Sequence, residues 1–216
     1  EGDLKDLLVF AEAKNFSFYV LGAGTNLLVR DGGIRGIVIN MADGFKDMVW
    51  QEETKAVVGA GVKLAEALSQ CRERGMGGLE FAANIPGTVG GAVAMNAGAY
   101  GSEMKDTVEG VEVIGRKGQK GFIPKSELNF SYRKAEVPRG AVIARVHMRF
   151  EKKSAGEIAE KIKALREKRK AASGITFPNA GSVFKNPEGH IAGRLIEEAG
   201  LKGERSGDAQ VSEAHA

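Results

Sequence analysis

Two side chains in this sequence are candidates for chemistry: one could stabilise a developing negative charge, and the other could donate a proton. Arg133 follows Phe-Ser-Tyr and carries a planar guanidinium, which can hold a carboxylate or an oxyanion. Ser182 lies between a glycine and a valine, with two asparagines and a lysine nearby, so its hydroxyl could donate a proton. The ordinary alternative for Arg133 is a solvated arginine or one that is salt-bridged to a carboxylate.

The surroundings of Ser182 argue against a hydrolase. The Gly-x-Ser-x-Gly turn is absent, and no histidine lies at an informative spacing. His147 falls in an alternating strand and His190 follows a turn, so we expect structural roles for both. These scattered histidines and the single Cys71 do not form a metal-ligand set, so no metal site is predicted.

Two glycine-rich segments could approach a ligand with their backbone. In residues 21–33, small residues follow an apolar strand, so main-chain N–H groups can reach phosphate oxygens, and Thr25 and Asn26 add side-chain donors. This is not a dinucleotide-binding fingerprint, because the third glycine is absent and Leu-Leu-Val follows instead of a helix. A tight glycine-rich hairpin is the alternative.

The second glycine-rich segment, residues 84–101, contains almost only small side chains. A backbone without bulk suits a cofactor lying along it, but close packing of two protein segments would require the same residues. The wider stretch 75–101 has eight glycines in 27 residues. It is predicted to be a long structured loop, and such loops in compact domains are usually functional.

Hydrophobic patterns predict the elements that position these segments. A helix with one apolar face closes near residues 14–15, and a second helix over residues 63–74 stops at Gly75. Strands are predicted at residues 16–21, 34–40, 57–58, 111–114, 122–123 and 141–150, and the last alternates, with Val142, Ala144, Val146, Met148 and Phe150 on one side. The predicted fold class is α+β.

A change in composition near residue 150 predicts two domains, 1–150 and 151–216. Residues 151–173 hold eight Lys or Arg against four Glu, and a narrow apolar stripe indicates a helix. The stripe consists of Ile158, Ile162 and Leu165. The helix is predicted to break at Ser173-Gly174. A loop at 178–189 then leads into a helix predicted to bury Ile191, Leu195, Ile196 and Ala199.

Composition excludes several classes of protein. Glycine makes up 30 of 216 residues, about twice the usual share of ~7%, without a collagen-like period. One cysteine excludes an internal disulfide and fits a reducing cytoplasm. A net charge of +3 does not favour nucleic acid, and no apolar run approaches the ~18 residues that span a membrane. No obligate protein partner is evident.

These segments occur in the same order as in the UDP-N-acetylenolpyruvoylglucosamine reductase family, and the chain resembles that family over nearly its whole length. The matching stretches are residues 22–36, Ile85-Pro-Gly-Thr-Val-Gly-Gly, Asn96-Ala-Gly-Ala-Tyr-Gly, Ser131-Tyr-Arg, Asn179-Ala-Gly-Ser-Val-Phe-Lys-Asn-Pro and residues 207–216. The resemblance implies a vanillyl-alcohol-oxidase-type FAD-binding domain of two lobes, followed by a C-terminal α+β substrate lobe. The short spacing before residues 151–173 resembles the family's shorter subclass.

The resemblance also implies an activity in peptidoglycan precursor synthesis. NADPH reduces FAD, and the flavin passes hydride to C3 of the enolpyruvyl group of the sugar nucleotide before C2 is protonated. By this likeness Arg133 stabilises the enolate-like charge and Ser182 gives the proton. Tyr100, Asn186 and, for the diphosphate, Lys170 would hold substrate. The FAD-binding set would be Gly22, Gly24, Thr25, Asn26, Gly87, Gly91 and Gly98.

The sequence departs from the family at both ends. The family's C-terminal catalytic Glu would lie beyond Ala216 and its N-terminal strand before Glu1, so we expect the 216 residues alone to bind FAD poorly and to turn over slowly or not at all. Two alternative functions fit the same segments: an FAD-dependent oxidase of a small alcohol, and a non-catalytic nucleotide-binding module. The lack of a flavin-linking histidine in the glycine-rich segments counts against the oxidase.

Overall fold

The structure is a computed structural model that describes residues 1–173 and 177–214. It mixes helices with small sheets, which confirms the α+β prediction. The chain divides into two compact units, Glu1–Leu165 and Arg166–Ala216. The domain boundary near residue 150 stays a prediction, and the break predicted after Ser173 falls on residues 174–176, outside the described residues.

The first unit contains most of the regular elements. In chain order they are α1 (Gly2–Ala13), β1 (Phe18–Leu21), β2 (Ile37–Asn40), β3 (Met48–Glu52), β4 (Lys55–Gly59), α2 (Leu64–Glu73), β5 (Met76–Gly77), α3 (Val89–Ala94), β6 (Gly98–Ala99), β7 (Ser102–Glu103), β8 (Val108–Ile114), β9 (Lys120–Pro124), β10 (Val142–Arg149), β11 (Glu151–Lys152) and α4 (Ala155–Ser173), which continues into the second unit. Short 3-10 helices occupy Glu80–Asn84, Met104–Asp106 and Lys125–Glu127.

A five-stranded antiparallel sheet in the order β3-β4-β10-β8-β9 forms the centre of this unit. Strand β10 lies in its middle and has the alternation that the sequence predicted. From Ala144 to Phe150 every second residue is buried, whereas Val142 and Ile143 are both buried at the start of the strand. These apolar residues bind the sheet to the helices in one continuous core.

Helix α1 and the parallel pair β1-β2 form a smaller layer beside the sheet. The helix buries Leu4, Leu8 and Ala11, as its apolar face predicted, and is followed by Asn15 in a left-handed conformation (φ 53°). Strand β1 pairs in register with β2, from Phe18 opposite Ile37 onwards. The first glycine-rich segment is the connection between these two strands, so both of its ends are fixed.

Residues 84–101 contain more regular structure than predicted. Helix α3 occupies the centre of the predicted loop because its first N–H groups are bound by another segment. Val89 N donates to Val62 O at 2.8 Å, and Gly90 N donates to Ala60 O at 2.9 Å. These long-range bonds outweigh the poor helix propensity of the two glycines.

The second unit contains α5 (Ala192–Glu198) and the hairpin of β12 (Arg205–Ser206) with β13 (Ala209–Gln210). The predicted helix is present, but its predicted burial is wrong. Ile191 is 63% exposed and Leu195 is also exposed, whereas Ala192 is buried. A unit of this size has too little interior to bury every apolar face. Among the described residues, no helix combines the length and apolarity of a membrane span.

Candidate functional site

The two glycine-rich segments lie against each other. Thr25 Oγ1 donates a hydrogen bond of 3.2 Å to the carbonyl oxygen of Pro86. Gly22 packs so closely on Thr88 that an added Cβ would lie 2.6 Å from Thr88 Oγ1. Only glycine therefore permits this approach at position 22. Two stretches that the sequence suggested separately thus form one surface.

The start of α3 completes this surface and limits what it offers. Thr88 is the N-cap, and its hydroxyl oxygen accepts a hydrogen bond of 3.3 Å from Gly91 N. The N–H groups of residues 89 and 90 donate to other main-chain carbonyls. The N–H of Gly91 is therefore already bonded, and Gly91 can only leave room for a ligand. Hydrogen-bond donors to a ligand must come from the neighbouring loops.

This surface contains a hydrogen-bond donor without a partner among the described residues, and apolar side chains that are exposed. Asn84 Nδ2 is buried and finds no hydrogen-bond partner in the part of the chain that the structure describes. A buried donor left unpaired costs about 1–3 kcal/mol, so an acceptor on a ligand would stabilise the site. Beside the loop, Leu27 and Val29 are about half exposed and Leu28 is 91% exposed. A ligand with phosphates and an apolar ring system fits this combination.

A hairpin follows α3 and presents Tyr100. Tyr100 and Gly101 both have positive φ (56° and 84°), the geometry of a type I′ turn between β6 and β7. Tyr100 is exposed at the tip. At Gly98, an added Cβ would lie 2.6 Å from Glu103 Cβ, so packing of the hairpin accounts for this glycine. A cofactor role for Gly98 stays a prediction.

Arg133 is held against this hairpin. Its Nη1 donates a hydrogen bond of 3.1 Å to the carbonyl oxygen of Gly98, and its guanidinium lies 5.2 Å from the ring centre of Tyr132. Arg133 is half-buried, and no carboxylate pairs with it among the described residues. The salt-bridged alternative is therefore excluded within residues 1–173 and 177–214, and most of its donors face no protein acceptor.

Backbone strain concentrates in the same place. The described residues include six non-glycine residues with positive φ, and three of them are Asn96, Tyr100 and Arg133. Such conformations persist where the surrounding structure enforces them, and they cluster at functional sites. Sequence reasoning missed Asn96 as a site residue. Its place at the start of Asn-Ala-Gly was the available signal, since asparagine tolerates this conformation.

A buried carboxylate, Glu80, stabilises the turn that precedes the second glycine-rich segment. Glu80 is 1% exposed and accepts a hydrogen bond of 2.9 Å from Gly78 N, while Lys153 and Lys161 each lie 3.6 Å away. Burial opposes ionisation of Glu80, but main-chain N–H groups and the two ammonium groups outweigh burial, so its pKa is lowered. Glu80 therefore stays charged and anchors the turn that leads to Asn84.

In the second unit, Ser182 lies on an exposed loop. Asn179 Oδ1 accepts a hydrogen bond of 3.0 Å from Gly181 N and shapes the turn before Ser182. Asn186 Oδ1 accepts one of 3.0 Å from Ala192 N, so it caps α5. Lys170 is exposed on α4. Because Arg133 belongs to the first unit and Ser182 to the second, their convergence stays a prediction.

Two family models match the chain. An FAD binding domain matches residues 1–120, and the C-terminal domain of UDP-N-acetylenolpyruvoylglucosamine reductase matches residues 170–216.

Similar proteins include curated enzymes and a solved structure. The UDP-N-acetylenolpyruvoylglucosamine reductase of Geobacter metallireducens is 45% identical over 99% of this chain and 71% of its own length. That of Alkaliphilus oremlandii is 41% identical over 98% of this chain and 70% of its own length. The crystal structure of the Thermus caldophilus reductase is similar at a TM-score of 0.82 and 39% identity, covering 95% of this chain and 75% of that one. The chain belongs to the UDP-N-acetylenolpyruvoylglucosamine reductase family.

Proposed function

We propose that this chain performs the reductase reaction of its family. It reduces UDP-N-acetylglucosamine enolpyruvate to UDP-N-acetylmuramate with NADPH and FAD, a step of peptidoglycan precursor synthesis. The observation that carries this proposal is Arg133: a half-buried guanidinium, without a carboxylate partner in the described chain, is held against Gly98 in the second glycine-rich segment. Such a group suits a substrate carboxylate on which charge develops.

The joined loops hold the cofactor. Asn26 supplies a side-chain donor, and Thr25 joins the two loops through its hydrogen bond to Pro86 O. Gly22, Gly24 and Gly87 allow close approach of the backbone, and Gly91 and Gly98 offer main chain without side chains. Asn84 Nδ2, which has no hydrogen-bond partner among the described residues, and the exposed Leu28 fit the polar and apolar parts of FAD. When bound, FAD supplies hydride transfer from NADPH to the enolpyruvyl group.

Arg133 acts on the substrate carboxylate. Because Gly98 O occupies only one of its five N–H donors, the remaining donors can bind two carboxylate oxygens while the side chain stays in place. The charge that develops as C3 gains hydride lies next to that carboxylate. A donor fixed beforehand needs no rearrangement during the reaction, which is the condition for a large rate effect.

Ser182 delivers the proton to C2. A neutral serine hydroxyl is a weak acid, so it suits only a strongly basic centre such as an enolate-like carbon. Ser182 is exposed, and its hydroxyl makes no hydrogen bond within residues 1–173 and 177–214. Its proton is therefore not committed to a protein acceptor there.

Three further residues would hold the sugar nucleotide. Tyr100 is exposed at the tip of its hairpin, and Lys170 is exposed on α4 and can meet the diphosphate. Asn186 has a second task, because it also caps α5. Substitution of Asn186 should therefore affect both substrate binding and the position of that helix.

We also propose a cytoplasmic location. The single Cys71 is buried, and burial raises the pKa of its thiol to about 12, so it is unreactive and suited to a reducing compartment.

A product assay tests the proposed function. The chain is incubated with FAD, NADPH and the enolpyruvyl sugar nucleotide, and the sugar nucleotide is analysed by mass spectrometry. We expect a product heavier by two hydrogens, formed at one NADPH per molecule, however slow the turnover. Oxygen consumption with a small alcohol and a covalent flavin would favour the oxidase instead. Retained flavin without any product would favour a non-catalytic module.

A further inference from the structure

We propose that Asn96 is a positioning residue that fixes Arg133 in the site. This inference rests on the proposed function for the role of Arg133. Asn96 itself was not among the residues that sequence reasoning assigned to the site, and it does not contact the reacting groups in this proposal. Its task is to hold the turn that carries the guanidinium.

The side chain of Asn96 joins three segments of the chain. Asn96 is 0% exposed. Its Nδ2 donates to Glu103 Oε2 at 2.7 Å and to the carbonyl oxygen of Ser131 at 3.1 Å, while its Oδ1 accepts from Lys105 N at 3.1 Å. The amide of Asn96 is therefore bonded to the hairpin after α3, to the 3-10 helix that follows the hairpin, and to the turn of residues 131–134.

That turn is the support of Arg133. Ser131 N donates to Lys134 O at 2.9 Å, and Lys134 N donates back to Ser131 O at 3.2 Å. The carbonyl oxygen of Ser131 is therefore shared between the closing bond of the turn and the amide of Asn96. Arg133, in the left-handed conformation with φ of 58°, lies inside this closed turn.

Arg133 and Asn96 thus bind the same two segments from opposite directions. Arg133 reaches from the turn to Gly98 O in the hairpin, whereas Asn96 reaches from the hairpin side to Ser131 O in the turn. Both hydrogen bonds span 35 positions of sequence. Two further attachments of this part of the chain are the Arg133 bond and the hydrogen bond from Ala135 N to Ala94 O.

Asparagine meets requirements here that its isosteres do not. The position needs two donors and one acceptor, and φ at Asn96 is 39°, which asparagine adopts more readily than most residues. Aspartate would lose both donors and would place a second carboxylate against Glu103. If Asn96 had only a general structural role, its loss would lower overall stability without a specific effect on Arg133. Hydrogen exchange and kinetics distinguish this role from positioning of Arg133.

The first measurement is amide hydrogen exchange on Asn96→Ala, with Val142→Ala as control. Val142 is buried in β10, outside the turn of residues 131–134, so its truncation lowers stability without removing a hydrogen bond of the site. We expect exchange at Ser131 and Lys134 to accelerate by about tenfold more than at β10 amides in Asn96→Ala, and by equal factors in Val142→Ala. Equal acceleration in both variants would overturn the proposal.

The second measurement is a kinetic cycle of Asn96→Ala, Arg133→Ala and the double variant, with FAD saturating. We expect kcat to fall by roughly tenfold to a hundredfold in Asn96→Ala, and by no further factor when Arg133 is already absent. Multiplicative losses would show that Asn96 does not act through Arg133 and would overturn the inference alone. An Arg133→Ala variant with the kcat of the unsubstituted chain would overturn both the inference and the role proposed for Arg133. If the unsubstituted chain itself forms no product, the proposed function fails, and the exchange measurement still decides whether Asn96 holds the turn.

Discussion

Thr25 Oγ1 donates a hydrogen bond to the carbonyl oxygen of Pro86, a residue 61 positions further along the chain. This bond joins the loop between β1 and β2 to the loop before α3. Each loop alone resembles an ordinary glycine-rich turn. Together they carry exposed apolar side chains and Asn84 Nδ2, a donor without a partner among the described residues. The proposed cofactor site therefore depends on a contact between distant segments.

Thr25→Val should weaken FAD binding. The variant keeps the shape of the side chain but removes one hydrogen bond, worth about 1 kcal/mol, so we expect the Kd for FAD to rise by about fivefold. Thr107→Val is a matched control, because Thr107 Oγ1 makes a bond of the same 3.2 Å length to Met104 O, away from the loops. Flavin fluorescence titration measures both, and equal effects would contradict the proposed site.

Gly22→Ala should be more damaging than Thr25→Val. The new Cβ would lie 2.6 Å from Thr88 Oγ1 and must push the two loops apart, so we expect FAD affinity to fall by at least about tenfold. Adding Thr88→Ala removes the clashing oxygen and should restore part of that affinity. Gly44→Ala, where nothing lies within 4 Å of the added Cβ, serves as control. A double variant no better than Gly22→Ala would disprove the steric explanation.

Arg133→Ala should lower kcat for substrate reduction by about 10²–10³-fold, because it removes a fixed donor from the developing charge. Arg133→Lys should recover only part of this loss, since an ammonium cannot form the planar two-bond contact. FAD content should be unchanged in both variants. Steady-state kinetics with Arg139→Ala as the exposed-arginine control checks the prediction, and a loss confined to KM would argue against it.

Ser182→Ala should slow product formation without slowing the bleaching of flavin absorbance by NADPH. The proton donor acts only after hydride reaches the substrate, and general acids contribute about 10²–10⁴-fold. Anaerobic stopped-flow absorbance separates the two half-reactions. Ser206→Ala, in the exposed strand β12, is the control and should retain both rates. Equal slowing of flavin bleaching would place Ser182 outside the proton-transfer step.

Glu80 should make stability depend on pH. Its pKa is lowered in the folded chain, so its contribution is complete above the unfolded value of about 4.3 and is lost as the pH falls through the lower folded value. We expect Glu80→Gln to be about 2 kcal/mol less stable at pH 7 and the difference to shrink as the pH approaches 3. Urea unfolding at several pH values measures it, with Glu160→Gln as an exposed control. A constant difference would contradict the assignment.

Local patterns predicted much of the fold. The apolar faces of α1 and α2 and the alternation of β10 appear in the structure within a few residues of their predicted bounds. Strand β3 was not predicted because its apolar run, Met48 to Trp50, is only three residues long and shows no alternation. Helix α3 was missed because its first turn is fixed by Ala60 and Val62, which local propensity cannot reveal.

By itself, the sequence determined which residue types could do chemistry, the α+β class and membership of the reductase family, because these depend on local order and composition. Only the tertiary structure decided that Gly22 meets Thr88, that Arg133 has Gly98 as its hydrogen-bond partner, and that Asn96 holds the turn. The physical reason is that these contacts join residues 35 or more positions apart. Their geometry is set by the packing of the sheet and helices between them, and local sequence patterns do not predict that packing.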